Sequence, residues 1–187
     1  MIEGDELPTL EAPRVRLRWL AAGDVDALFD VFSDRVMMRY WSSAAMTERA
    51  EAEALLARIQ RQFADKFGFQ WGIERKDDGR ILGTCTLFNV HVGNMRAEVG
   101  YCLASAYWKN GYMLEALTAL FDHAFGPMKL RRLEADVDPR NVNSMGVLAR
   151  LGFSQEGLLR ERWNVNGEIQ DTAFHGLLAR EWQERGA

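Results

Sequence analysis

The chain has 187 residues with 23 Lys and Arg against 27 Asp and Glu, a formal net charge of −4. That length suits one compact domain with a real core. A mildly acidic chain with no basic tract interleaved with aromatics argues against a nucleic-acid partner. No window reaches ~18 consecutive apolar residues and no apolar h-region opens the chain, so no membrane partner is expected and the expected location is cytoplasmic. Cys85 and Cys102 both fall in strand patterns and read as buried, reduced thiols. His91, His123 and His175 are far apart and form no ligand motif, so no metal is expected.

Residues 1–13 are polar and read as a loose N-terminal arm. Val15, Leu17 and Trp19 then alternate with Arg14, Arg16 and Arg18 as a strand does. Asp24 stands where it would cap a helix reaching about Phe32. Thr47 stands likewise before a second helix, whose Leu55, Ile59 and Phe63 fall at i, i+4 and i+8. Between them, Met37, Met38, Tyr40 and Trp41 make the connection unusually apolar. Helix connections are commonly short, polar and exposed, so this one has to pack on the core or on a ligand.

Phe69, Trp71 and Ile73 alternate as a strand, and Asp78-Gly79 predicts a hairpin turn into a second strand through Phe88. A third strand covers 97–103. Leu114, Leu117, Leu120, Phe121 and Phe125 then keep helical spacing. An apolar run at 133–137 predicts another strand. Val147, Leu148 and Leu151 predict a short helix ending at Gly152. Asn166-Gly167 predicts a last hairpin between strands at about 155–163 and 169–178, and residues 181–187 read as a tail. The order β-α-α-β-β-β-α-β-α-β-β combines an antiparallel meander with a βαβ crossover. It predicts an α/β (α+β) fold: one domain over 14–180, with a mixed sheet and helices on both faces.

Two segments carry candidate chemistry. At 105–116 a strand turns sharply into a helix, and the first amides of a helix have no intrahelical partner. Trp108, Lys109, Asn110, Gly111, Tyr112 and Met113 would aim such donors at a phosphate or pyrophosphate, aided by the helix dipole. Gly111 permits a tight turn and close approach, although one glycine at such a junction is more often only a turn. The second segment is Asp138-Pro139-Arg140-Asn141-Val142-Asn143-Ser144, where Asn141 precedes a helix and Ser144 falls in its first turn.

These two segments resemble the GNAT superfamily of acyl-CoA N-acyltransferases, and within it the ribosomal-protein N-acetyltransferase (RimJ/RimL-type) branch. The matching residues are Val15-Arg16-Leu17-Arg18, Glu98-Val99-Gly100-Tyr101, 108–116, Asn141 with Ser144, Leu151-Gly152-Phe153 and Glu156-Gly157, in that order. The resemblance implies a mostly antiparallel sheet of about seven strands with one splayed parallel pair. It implies acetyl-CoA as co-substrate, with Tyr101, Cys102 and Leu103 giving backbone contacts to the pantetheine arm and residues 108–113 holding the pyrophosphate. Met113 stands where glycine or alanine is usual, so its side chain has to point away from the phosphates.

By the same resemblance Glu98 is the candidate general base, with Glu161 as the second choice, and Ser144 is the candidate donor to the departing thiolate. Alternatives stand beside these roles: Glu98 paired to Arg96 or Arg132, Asn141 and Ser144 as ordinary helix caps, Tyr101 as core. In the family the early helices and last hairpin build the amine pocket, which points to Tyr40, Trp41, Glu161 and Trp163, with Phe88 and Trp71 as further aromatics. The expected acceptor is a protein or peptide N-terminal α-amine. The alternatives are a small amine (amino acid, polyamine or aminoglycoside) or a non-catalytic acyl-CoA-binding module on the same fold. A monomer or a homodimer is expected.

Overall fold

The computed structural model describes residue 2, residues 4–165 and residues 167–185. Among these, eight strands form one sheet in the order β1-β2-β3-β4-β5-β6-β8-β7. The strands are β1 (Leu10–Glu11), β2 (Val15–Arg18), β3 (Gly68–Arg75), β4 (Ile81–His91), β5 (Arg96–Leu103), β6 (Arg132–Val137), β7 (Ser154–Val165) and β8 (Glu168–Leu178). The helices are α1 (Val25–Ser33), α2 (Arg49–Ala64), α3 (Tyr112–Phe125), α4 (Val142–Arg150) and α5 (Ala179–Glu184). All neighbouring strands run antiparallel except β5 and β6.

Every element expected between residues 14 and 178 is present and in order. Short 3-10 turns are added within that span at Ala22–Asp24, Met37–Tyr40, Val92–Asn94 and Ser105–Tyr107, and the other additions lie at the ends. The arm expected to be loose packs on the sheet: Ile2 and Leu7 are buried, Leu10 and Glu11 pair with Leu17 and Arg16, and the Trp71 indole donates to Pro8 O at 2.9 Å. The expected tail begins inside α5, whose Trp182 packs on Phe121 at 5.4 Å between ring centroids. Polarity alone missed these segments, because a few apolar anchors suffice to dock a terminus. Asn166, half of the expected last turn, lies outside the described residues; Gly167 has φ 88°.

Helices cover both faces, and each face has its own core. Leu117, Leu120 and Phe121 of α3 pack with Phe69, Trp71 and Leu133 on one side. Leu28 and Phe32 of α1 pack with Leu55 and Ile59 of α2 on the other. Each such side chain contributes about 1.5–3 kcal/mol on burial. The two expected caps use different groups. Asp24 sits at the N-cap position of α1, but its carboxylate binds Arg18 at 2.7 and 2.8 Å and the amide of Ala21 at 2.8 Å. Before α2 it is Glu51 that accepts from the amides of Thr47 and Glu48, at 2.7 and 3.0 Å.

Candidate active site

The site begins where the sheet opens. β5 and β6 pair only through Arg96–Arg132, Ala97–Leu133 and Glu98–Glu134. Beyond Glu98 the strands separate, while β5 stays paired with β4 as far as Gly83–Leu103. The Ala104 amide donates to Leu82 O at 2.9 Å. By antiparallel alternation, Val99, Tyr101 and Leu103 therefore turn their N–H and C=O groups away from β4 and toward the gap. Cys102 turns its backbone toward β4 instead, which corrects its expected backbone role. The Leu103 carbonyl is partly engaged, since the Trp108 indole donates to it at 2.6 Å.

The gap leads to the start of α3. Lys109 and Gly111 both take left-handed backbone, with φ 62° and 83°. Gly111 is the N-cap, and the first intrahelical bond runs from Glu115 N–H to Gly111 O at 3.2 Å. The amides of Tyr112, Met113 and Leu114 precede that bond, where free backbone donors and the helix dipole would suit an anion. The Met113 side chain packs against the core beneath α3. Asn110 contributes no cleft surface, because its side chain folds back onto Tyr107 O and Trp108 O at 3.2 and 3.0 Å.

Arg14 holds this turn in place, and sequence reading had seen it only as one residue of an alternating strand. Its side chain binds Glu115 Oε1 at 2.6 Å and Asn110 O at 2.8 Å, and lies 4.8 Å over the Tyr112 ring. Its backbone N–H binds Glu115 Oε2 at 2.9 Å. Asp34 ties the opposite wall to the same region. It accepts from Ser105 N–H at 2.7 Å and from the amides of Val36 and Met37 at 2.9 and 3.2 Å. Burial disfavours its charge, but these donors outweigh it and hold its carboxyl below the ordinary range.

Across the gap, α4 presents Asn141 and Ser144. Asn141 Oδ1 accepts from Ser144 N–H at 3.1 Å, so Asn141 does cap α4, and its side-chain amide keeps its donors for another partner. Ser144 Oγ lies 2.8 Å from Tyr101 Oη. Burial pushes the Tyr101 phenol well above its ordinary pKa, only partly offset by Ser144, so it stays protonated.

One cavity of about 990 Å³ joins these features. Tyr101, Leu103, Gly111, Met113, Asn141 and Ser144 line it, as do Glu98, Tyr40, Trp41, Phe88 and Trp163. Glu98 is bound to neither Arg96 nor Arg132. Arg96 pairs with Glu134 at 2.5 Å, and Arg132 with Glu134 and Glu156 at 2.8 and 2.6 Å. Glu98 instead accepts from Asn89 Nδ2 at 3.0 Å.

Besides Asn110, three expected residues lie elsewhere or differ in role. Glu161 is outside the cavity and exposed, at a register shift of β7 where its φ is 53° and its amide donates to Asp171 Oδ1 at 2.8 Å. Trp71 is wholly buried core. The Cys102 thiol is buried beside Thr84 Oγ1 at 3.4 Å, and burial pushes its pKa up to about 11. Asp136 was not anticipated. It lines the cavity and accepts from Thr172 Oγ1 at 2.6 Å and the Trp163 indole at 3.1 Å. Its alternating apolar neighbours on β6 gave no signal that this strand end faces a cleft.

The arrangement suits a long ligand that carries an anion at one end and a strand-like amide chain along β5. The acetyltransferase (GNAT) domain family matches residues 14–154. The chain is 31% identical to the N-acetyltransferase p20 of Bacillus licheniformis, over 94% of this chain and 99% of that protein. It is 29% identical to the [ribosomal protein uS5]-alanine N-acetyltransferase of Escherichia coli, over 70% and 68% of the two chains. RimJ of Mycobacterium smegmatis, solved in complex with CoA-disulfide, superposes with a TM-score of 0.81 at 26% identity, over 97% of this chain and 95% of that one. An exposed strand edge beside a split parallel pair, the helix start that follows it and these relatives agree: the chain belongs to the GNAT acetyltransferase family.

Proposed function

We propose that this N-acetyltransferase moves an acetyl group from acetyl-CoA to the α-amine of a protein or peptide N-terminus, directly within a ternary complex. The observation that carries the reading is one shared cavity, lined both by the β5 edge and α3 start and by Tyr40 and Trp41. Two ligands that share one cavity need no covalent relay. The one cysteine that lines it is held as a thiol at neutral pH, unfit as a nucleophile.

The residues present fit acetyl-CoA, which brings the acetyl thioester. The N–H and C=O groups of Val99 and Tyr101 and the Leu103 amide suit the pantetheine arm, Asn141 offers its side-chain amide, and the amides that open α3 suit the pyrophosphate. Glu98 takes the ammonium proton of the acceptor, directly or through water, so that the neutral amine can attack the thioester carbonyl carbon. Ser144, backed by the Tyr101 phenol, donates toward the sulfur as the C–S bond breaks. Tyr40, Trp41, Phe88 and Trp163 enclose the acceptor.

The peptide reading is preferred to a polyamine because the carboxylates that line the far wall are already engaged. Asp136 holds Thr172 and Trp163, Asp138 holds Arg140 at 2.6 Å, and Asp171 accepts from the Glu161 amide. A kinship with ribosomal-protein acetyltransferases also supports it. Thiol release from acetyl-CoA, measured against N-terminal peptides, amino acids, polyamines and aminoglycosides, tests it. Peptides should give the highest kcat/KM; a polyamine in first place would reject the peptide reading.

A further inference from the structure

We propose that the bulge in β4 exists to place Asn89 on Glu98, making Asn89 the residue that positions the catalytic carboxylate; this rests on Glu98 being the base. From Gly83 to Phe88, β4 pairs with β5 residue for residue, ending at Phe88–Glu98. The next pair is His91–Arg96, so Asn89 and Val90 together oppose Ala97 alone. That is a one-residue bulge.

Its consequence is a change of face. Phe88 and Glu98 sit directly opposite one another and share a face of the sheet. In an uninterrupted strand Asn89 would point to the other face. Asn89 instead takes a left-handed backbone with φ 48°, and its Nδ2 reaches Glu98 Oε1 at 3.0 Å. Both residues line the cavity. Asparagine tolerates this conformation better than most side chains, and it carries a donor.

The choice of donor matters chemically. Two arginines stand near Glu98, one on its own strand and one on β6. Glu134, which sits beside Glu98 in the parallel register, binds both of them, and Glu156 also binds Arg132. A guanidinium on Glu98 would stabilise the carboxylate and weaken it as a proton acceptor. A neutral amide fixes one oxygen of this cavity-lining carboxylate without neutralising its charge.

The test uses Asn89→Gly, which removes the amide and suits a positive φ, and Asn89→Asp, which keeps the size but sets a like charge against Glu98. Asn89→Gly should lower kcat about tenfold, a fraction of what a general base contributes. Acetyl-CoA affinity and Tm should stay at wild-type values. Asn89→Asp should also turn over more slowly than wild type, because its carboxylate cannot donate to Glu98 Oε1 and no longer fixes that oxygen. In a Glu98→Gln background Asn89→Gly should cost nothing more, because the residue acts only through that carboxylate. Wild-type turnover in Asn89→Gly, or losses that multiply in the double variant, would overturn the proposal while leaving Glu98 as the base. Wild-type turnover in Glu98→Gln would instead remove the base reading and this proposal with it.

Discussion

The hydroxyl of Ser144 and the phenol of Tyr101 lie 2.8 Å apart and join α4 to β5 across the gap in the sheet. Tyr101 Oη is also 3.3 Å from Ser144 O. The phenol is held protonated by burial and either hydroxyl can be the donor of this bond; when Tyr101 donates to Ser144 Oγ, the serine proton is left for the cleft. Ser144→Ala is expected to lower turnover about tenfold to a hundredfold with acetyl-CoA affinity nearly unchanged. Tyr101→Phe should lose less, and the double variant should lose no more than Ser144→Ala. Steady-state kinetics on the three variants check this.

Acetyl-CoA binding should raise Tm, since it engages only the folded state. At a hundred times its Kd the stabilisation is about 2.7 kcal/mol, or roughly 5–10 °C for a chain of this size. Gly111→Pro removes an amide from the turn and demands a negative φ where φ is 83°, so the shift should vanish. Arg14→Ala should weaken acetyl-CoA binding by releasing Asn110 and Glu115, with little effect on the acceptor KM. Thermal shift titrations read both.

Tyr40→Ala and Trp41→Ala should raise the acceptor KM and leave acetyl-CoA affinity nearly unchanged. Their neighbour Met38 is buried and outside the cavity lining, and should behave oppositely. Met38→Ala is expected to cost roughly 2–5 kcal/mol of stability without a selective effect on the acceptor. Trp41 also packs edge-on against Phe32 at 5.8 Å, so its variant should lose some Tm as well. Melting curves and both KM values on the same proteins separate the two behaviours.

The apolar connection at 37–41 shows how far sequence reading reached. Its composition demanded a packing partner, and it divides between core (Met38) and cleft wall (Tyr40, Trp41) as a side chain's direction dictates. The strand-turn-helix at 105–116 was legible because a helix start, a positive-φ glycine and a preceding strand are all local. The misses are non-local. Arg14 bridges to a helix 101 residues away. Asn89 depends on a bulge visible only in register, and Asp136 on where β6 leaves β5. Glu161 rested on the family resemblance, and it sits at the β7 register shift, outside the cavity. Cys102 was misjudged because strand phase decides which way a backbone points, and one residue reverses it.

The buried Cys102 thiol gives a pH-dependent expectation. Its pKa is pushed up to about 11, so only a minute fraction is thiolate at pH 8 and that fraction grows as pH rises. Cys85 is also buried and raised. Iodoacetamide at pH 8 should therefore leave the folded enzyme unmodified and fully active, as intact mass and turnover would show. Rapid alkylation with loss of activity would place a reactive thiol in the cleft.

Direct transfer is tested most plainly by one single-turnover experiment. Enzyme in excess is mixed with acetyl-labelled acetyl-CoA, with and without an acceptor peptide, and quenched in acid over time. Without peptide, no label should be found on the protein. With peptide, label should appear on its N-terminal amine at the rate at which acetyl-CoA disappears. Label on the enzyme that forms first and then passes to the peptide would contradict transfer within a ternary complex.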